Sequence, residues 1–342
     1  MGSFEKVDYV EKRLFPFDEY REIIMKNRVK LIVCYYGTLP TEFSLWLSSC
    51  KNNPDFDFLI VTDTEVFNIP SNVSVLNISI EEVKKRFSTA CGLNVILSKP
   101  YKLCDFKPLY GKAFTDELKG YDFWGHCDID VVWGDIKKFI TDDILNKYDR
   151  IGTYGHFTLY RNCARMNDLY QEKGSAFPYQ TVFTSPHNYN FDEMYGMNLI
   201  CKKKNIAWFN IKHDCFLDKL PGKVLAFHNT PNFRGQTVLW KDGKIYQFYE
   251  IEQLENKEEK MYYHFSGMHY TLEKVSDCIW FNAQGCWNTK TSIESSWDGE
   301  IDTNKARLTD MRNKYKSYNF TQKYIAIRQR IVKKLLDIRF RK

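Results

Sequence analysis

Three short apolar runs near the start of the chain constrain its fold most. Val29–Tyr36 reads VKLIVCYY, Asp57–Val61 reads DFLIV and leads into Thr62-Asp63, and Val73–Ile78 reads VSVLNI. Runs this short and this rich in β-branched residues suit strands rather than helices. The first two carry almost no polar alternation, as expected of strands buried on both faces of a parallel sheet. Between them, Leu39–Lys51 places Phe43, Trp46 and Leu47 on one helical face, and Ile80–Phe87 predicts a further short helix. Strand, helix, strand in this order predicts an α/β fold with a mostly parallel central sheet flanked by helices.

Further along, Lys102–Leu118 predicts a helical stretch around Pro108, and Tyr121–Trp133 an aromatic strand that turns through two carboxylates before an apolar segment resumes. Asp142–Arg150 is expected to be helical, Ile151–Thr158 a strand, and Asn162–Lys173 a helix ending at Gly174. Val238–Tyr249 carries Asp242-Gly243 between two alternating runs, a strong signal for a two-residue hairpin turn. With 342 residues and no internal repeat or low-complexity linker, the sequence divides into an N-terminal extension (1–28), one catalytic domain (29–300) and a basic tail (301–342).

Asp128-Ile129-Asp130 is the sharpest chemical feature. Alternate residues of extended chain project to one side, so the two carboxylates converge while Ile129 turns inward. Two adjacent negative charges raise one another's pKa unless a cation lies between them. Hard oxygen ligands of this kind suit Mg²⁺ or Mn²⁺ shared with substrate phosphates. The pair is too close for the two carboxylates of a glycoside hydrolase, which stand roughly 5–9 Å apart. The loop directly after the first strand carries no G-x-G-x-x-G motif, only Gly37, which disfavours a dinucleotide fold. A P-loop motif is absent as well.

The chain resembles bacterial glycosyltransferases of the GT-A fold that serve lipopolysaccharide or capsule synthesis. The resemblance rests on KLCDFKPLYG (Lys102–Gly111), YDFWGHCDIDVVWGDIKKF (Tyr121–Phe139), GHFTLYRN (Gly155–Asn162), FDEMYGMN (Phe191–Asn198) and YYHF (Tyr262–Phe265). It implies a GT-A fold and a metal-dependent transfer of a hexose or N-acetylhexosamine from a UDP-sugar to a saccharide or lipid-linked glycan acceptor. It also implies that Asp130 and His264 ligate Mn²⁺ (or Mg²⁺), with Asp128 contacting metal, ribose or both; His269 is the alternative ligand. Lys102 and Asp105, one helical turn apart, become donor-site residues by the same resemblance, with Lys107 a weaker member of that patch. Tyr36, Thr38 and Asp63 fall in the loops after the first two strands, where this fold holds the nucleobase. Tyr36 is expected to stack on it.

On the acceptor side the candidates are His156, Tyr160 and Arg161, then His187, Asp192 and Glu193. In an inverting reaction Asp192 or Glu193 is the natural base. In a retaining one they only position the sugar. Arg234, in a Gly- and Pro-rich stretch over 217–235, is a further cation for the leaving diphosphate. A metal-dependent nucleotidyl or phosphoryl transferase is the rival reading of the paired carboxylates.

Charge is unevenly spread. The net charge is +6, and Ile301–Lys342 holds 13 Lys or Arg against 3 Asp, so the rest of the chain is slightly acidic. Basic residues confined to one end argue against a nucleic-acid partner. Tyr324, Ile327, Ile331, Leu335 and Ile338 form a helical stripe among those basic residues. Such a helix suits peripheral binding to an anionic membrane surface. Scattered cysteines and the lack of an export-type or membrane-spanning segment predict a cytoplasmic protein, with the tail at the inner face of the cytoplasmic membrane.

Overall fold

A computed structural model describes residues 27–287, apart from 221–224, 231–235, 252–253, 267–268, 271–274 and 283–284. The basic tail, Arg234 and most of the N-terminal extension lie outside the described residues. The predicted opening is present: β1 (Val29–Cys34), α1 (Phe43–Lys51), β2 (Phe56–Thr62), β3 (Val73–Asn77) and α2 (Ile80–Cys91). α2 starts where Ser79 and Glu82 each bond the other's backbone N–H, and stops at Gly92, whose φ of 69° suits a residue without Cβ.

β4 (Phe123–Cys127) is followed by β5 (Val131–Trp133), β6 (Arg150–Tyr154), β7 (Phe157–Arg161) and β8 (Trp208–Phe209). A seven-stranded sheet runs in the order β3-β2-β1-β4-β7-β6-β8. β1, β2, β3 and β4 are mutually parallel, β7 runs antiparallel to β4 and β6, and β6 pairs parallel with β8. The chain is therefore mixed α/β with a mostly parallel central sheet. Both sheet faces are covered: Leu31, Val33 and Phe58 enter one core, and Ile32, Leu59 and Val61 the other.

One departure from the sequence reading, and the detail of one expected helical stretch, bear on the site. Ile151–Thr158 is not one strand, because the chain reverses at Gly155-His156 and pairs Tyr154 with Phe157. The helical stretch around Pro108 is present, but not as one continuous helix. It breaks into the short turns Leu103–Phe106, Lys107–Leu109 and Tyr110–Ala113, since Pro108 cannot supply a backbone N–H.

The C-terminal half adds β9 (Leu217–Asp218), β10 (Thr237–Lys241), β11 (Lys244–Ile251), β12 (Leu254–Lys260), β13 (Tyr262–His264), β14 (Cys278–Phe281) and β15 (Cys286–Trp287). The predicted hairpin is β10–β11, with Asp242 and Gly243 both at positive φ as its turn demands. Five strands form an antiparallel sheet in the order β12-β11-β10-β14-β15, and a small sheet runs β5-β13-β9. All ten cysteines are free thiols. Among the described residues no helix is long and apolar enough to cross a membrane.

Candidate metal centre

The Asp128–Asp130 segment joins the end of β4 to β5, beside the central strand β1. Ile129 is buried in the core, while the flanking Asp128 and Asp130 side chains keep about a third of their surface exposed (32% and 29%). The alternation read from the sequence is thus present.

The small sheet decides what meets these carboxylates. β13 pairs antiparallel with β5, setting His264 opposite Val131, and Phe265 N–H donates to the Asp130 carbonyl at 3.1 Å. His264 Nε2 lies 3.5 Å from Asp130 Oδ2. β13 also pairs with β9, setting Asp218 beside His264, and Asp218 Oδ1 lies 2.8 Å from His264 Nδ1. Asp128, Asp130 and His264 each offer a ligand atom within 4.8 Å of the others. A carboxylate on Nδ1 leaves Nε2 to face the Asp-x-Asp pair, the arrangement found where a histidine ligates a metal.

Burial works against a charged His264. The hydrogen bonds and charges of Asp130 and Asp218 outweigh it and raise its pKa to about 10. The folded value exceeds the ordinary 6.5. Its stabilising contribution is therefore complete below about pH 6.5 and lost as pH rises through about 10. With chelator present, wild type should lose its stability advantage over His264→Gln across that window in urea titrations. A constant gap from pH 6 to 10 would show that the imidazole carries no charge.

Lys107 is the cation of the site. Its Nζ lies 2.5 Å from Asp128 Oδ1, 3.7 Å from Asp192 Oδ2 and 3.0 Å from the Gly155 carbonyl. Burial opposes its charge, but Asp128, then Cys104 and Asp192, hold its pKa well above the lysine range. Gly155 also receives His126 Nδ1 on its carbonyl at 2.9 Å and donates its N–H to Glu193 Oε1. A Cβ at Gly155 would come within 2.6 Å of Asp192 Oδ2, so only glycine permits this approach. Burial lifts Asp192 well above the carboxylate range against the pull of Lys107, and Glu193 adds to it. Glu193 is likewise raised by burial, against the Gly155 hydrogen bond. Asp192 is only 4% exposed and faces Lys107. Glu193 is partly exposed, the more accessible carboxylate of the pair.

Several expected site residues do other work. Lys102 and Asp105 form neither a surface pair nor a donor contact: both side chains are fully buried and lie 2.7 Å apart. Lys102 Nζ also donates to the Val182 and His187 carbonyls, and Asp105 accepts the Tyr189 and Phe191 N–H groups. With their polar atoms so occupied, they clamp the segment that carries Asp192 and Glu193. Tyr36 is 6% exposed, its ring in the core and its hydroxyl on the Ile78 carbonyl, so neither ring face is open to a base. Its neighbour Tyr35, half-buried, lies on the Asp130 side, where that carboxylate adds to the upward shift that burial and Glu42 give its hydroxyl. Thr38 and Asp63 are exposed in the loops after β1 and β2, as expected. His269 pairs with buried Glu42 at 3.0 Å instead of approaching Asp130. Tyr160 is a core residue, and Arg161 bonds Asp149 together with the Leu145 and Tyr148 carbonyls.

Asp218 carries no motif; only its pairing to the YYH strand reveals it. The sequence family DUF6625, a family of unknown function, matches residues 31–295. This chain belongs to that family. The matched span holds every residue of the centre, from Lys107 and Asp128 to Asp218 and His264, so the DUF6625 region contains the whole constellation. No curated protein matches the chain.

Proposed function

We propose that this DUF6625 protein is a metal-dependent glycosyltransferase of GT-A type. It moves a hexose or N-acetylhexosamine from a UDP-sugar to a saccharide acceptor of a surface glycan. The observation that carries this reading is the convergence of Asp128, Asp130 and His264 at the end of β4. Ligands in an open α/β sheet bind outside the carboxyl ends of its strands. The donor set fits Mn²⁺ or Mg²⁺: two partly exposed carboxylates and one imidazole whose other nitrogen is held by Asp218. A divalent ion there supplies positive charge to the departing diphosphate.

The chain's own residues do the rest. Asp218 fixes which nitrogen of His264 faces Asp130. Lys107 holds Asp128 in place and offsets the charge of Asp192. Thr38 and Asp63 offer polar groups for the nucleobase at the exposed loops after β1 and β2. Glu193, with its raised pKa, receives the proton of the acceptor hydroxyl in an inverting reaction and orients that hydroxyl in a retaining one.

A thermal-shift panel of nucleotide sugars with Mn²⁺ tests the reading. Saturating UDP-sugar should raise Tm by about 5 °C, because a ligand at 100 Kd stabilises by about 2.7 kcal/mol. Acceptor mixtures should then release UDP. A shift with GDP- or CMP-sugars alone would overturn the UDP assignment, and release of pyrophosphate would point to nucleotidyl transfer.

A further inference from the structure

His264 belongs to a second set of metal-ligand side chains. His156, Asp218 and His264 also bring one ligand atom each within 4.8 Å of one another. His156 is the unusual member. It is 4% exposed, and neither Nδ1 nor Nε2, both buried, has a hydrogen-bond partner. Native proteins rarely leave both nitrogens of a buried imidazole unmet without a ligand or ordered water. The ring is held in place by neighbours. It stacks on Tyr154 at 5.1 Å and on His264 at 4.4 Å, and meets Tyr262 edge-on at 5.4 Å. Asp218 Oδ1, 2.8 Å from His264 Nδ1, supplies the carboxylate, and the backbone N–H of His228 donates to the Asp218 carbonyl at 2.8 Å.

We propose that His156, Asp218 and His264 form a second divalent-metal site that takes a borderline transition ion of the Zn²⁺ type. Two imidazole nitrogens and one carboxylate oxygen, with a fourth position open, are a donor set suited to Zn²⁺. Mg²⁺ and Mn²⁺ prefer oxygen ligands and are better served by Asp128 and Asp130. The two sets share His264, and a neutral imidazole has one lone pair to give. Zn²⁺ at the second set therefore takes His264 from the first. Given the metal-dependent transfer proposed above, Zn²⁺ is then an inhibitor competitive with Mn²⁺; this consequence rests on that reading, whereas the binding itself does not.

The experiment uses full-length protein stripped with chelator and dialysed against Zn²⁺ in excess Mg²⁺, followed by metal analysis. Wild type should retain one Zn²⁺ per chain. His156→Phe, which keeps a stacked ring but removes both nitrogens, and Asp218→Asn should each weaken binding at least tenfold, while Asp128→Asn should not. Unchanged Zn²⁺ affinity in His156→Phe, or an equal loss in Asp128→Asn, would overturn the site. Cu²⁺ bound to wild type gives a readout free of any folding defect in the variants. Its electron paramagnetic resonance spectrum should show coupling to two imidazole nitrogens, and coupling to one would place the ion with Asp128 and Asp130 instead. Failure of glycosyl transfer would leave all three binding results standing. Zn²⁺ binding without inhibition of an active enzyme would overturn the sharing of His264.

Discussion

Asp130→Ala should abolish metal-dependent release of UDP, lowering the rate by about 10³-fold, equivalent to roughly 4 kcal/mol of lost transition-state stabilisation. Asp130 is the carboxylate that faces His264 Nε2 across 3.5 Å, so its removal takes one carboxylate from the proposed centre and leaves His264 paired with Asp218. Asp128→Ala should lose nearly as much. That carboxylate is held by Lys107, and its removal also leaves the lysine with Asp192 as its remaining carboxylate contact. Both aspartates keep about a third of their surface in water, so neither substitution opens a cavity in the core. The measurement is UDP release at saturating donor across a Mn²⁺ titration, with Tm as a folding control. Full turnover in either folded variant would remove these residues from the mechanism.

The Asp-x-Asp alternation could be read from the sequence because it is local. Extended chain has a period of two, and Ile129 between two aspartates has one sensible place to go. Other parts of the centre are non-local. Asp218 meets His264 across 46 positions of sequence, through a two-residue strand that no pattern announces. Tyr35 and Tyr36 show a different limit. β1 is buried on both faces, with Leu31 and Val33 entering the core on the Asp130 side and Ile32 and Tyr36 the other. A strand apolar at both parities gives no hint of which tyrosine faces the site, and one residue of register reverses the answer.

The turn at Gly155-His156 is hidden in the sequence for a related reason. The sequence there carries no Asn-Gly or Asp-Gly pair, and the reversal is fixed by distant groups, Lys107 and Glu193 on the Gly155 backbone. The resemblance makes Lys107 only a weaker member of the donor patch, because an isolated lysine near Pro108 gives no sign of being buried. Its three partners, Asp128, Gly155 and Asp192, come from three separate segments. Folding thus joins Asp128, at the end of β4, to Asp192 through one ammonium group.

Lys107→Met should therefore cost roughly 3–5 kcal/mol of stability at neutral pH, the effect of leaving a buried charge without its partner. Methionine matches the length of the lysine stem, so the loss is electrostatic rather than steric. Without the ammonium group, Asp192 keeps its burial and its repulsion from Glu193 but loses the charge of Lys107 that favours its ionised form. Its folded pKa, already above the ordinary carboxylate value, should rise further. A carboxyl with a raised folded pKa contributes stability that is present at low pH and lost as pH rises through the folded value. The gap between wild type and Lys107→Met in urea titrations should accordingly shrink as pH is lowered toward 4. Asp192→Asn in the Lys107→Met background should recover part of the lost stability, because a neutral amide in that position needs no cation. A gap that is constant with pH, together with no recovery in the double variant, would mean that Lys107 acts through packing and not as the counter-charge of Asp192.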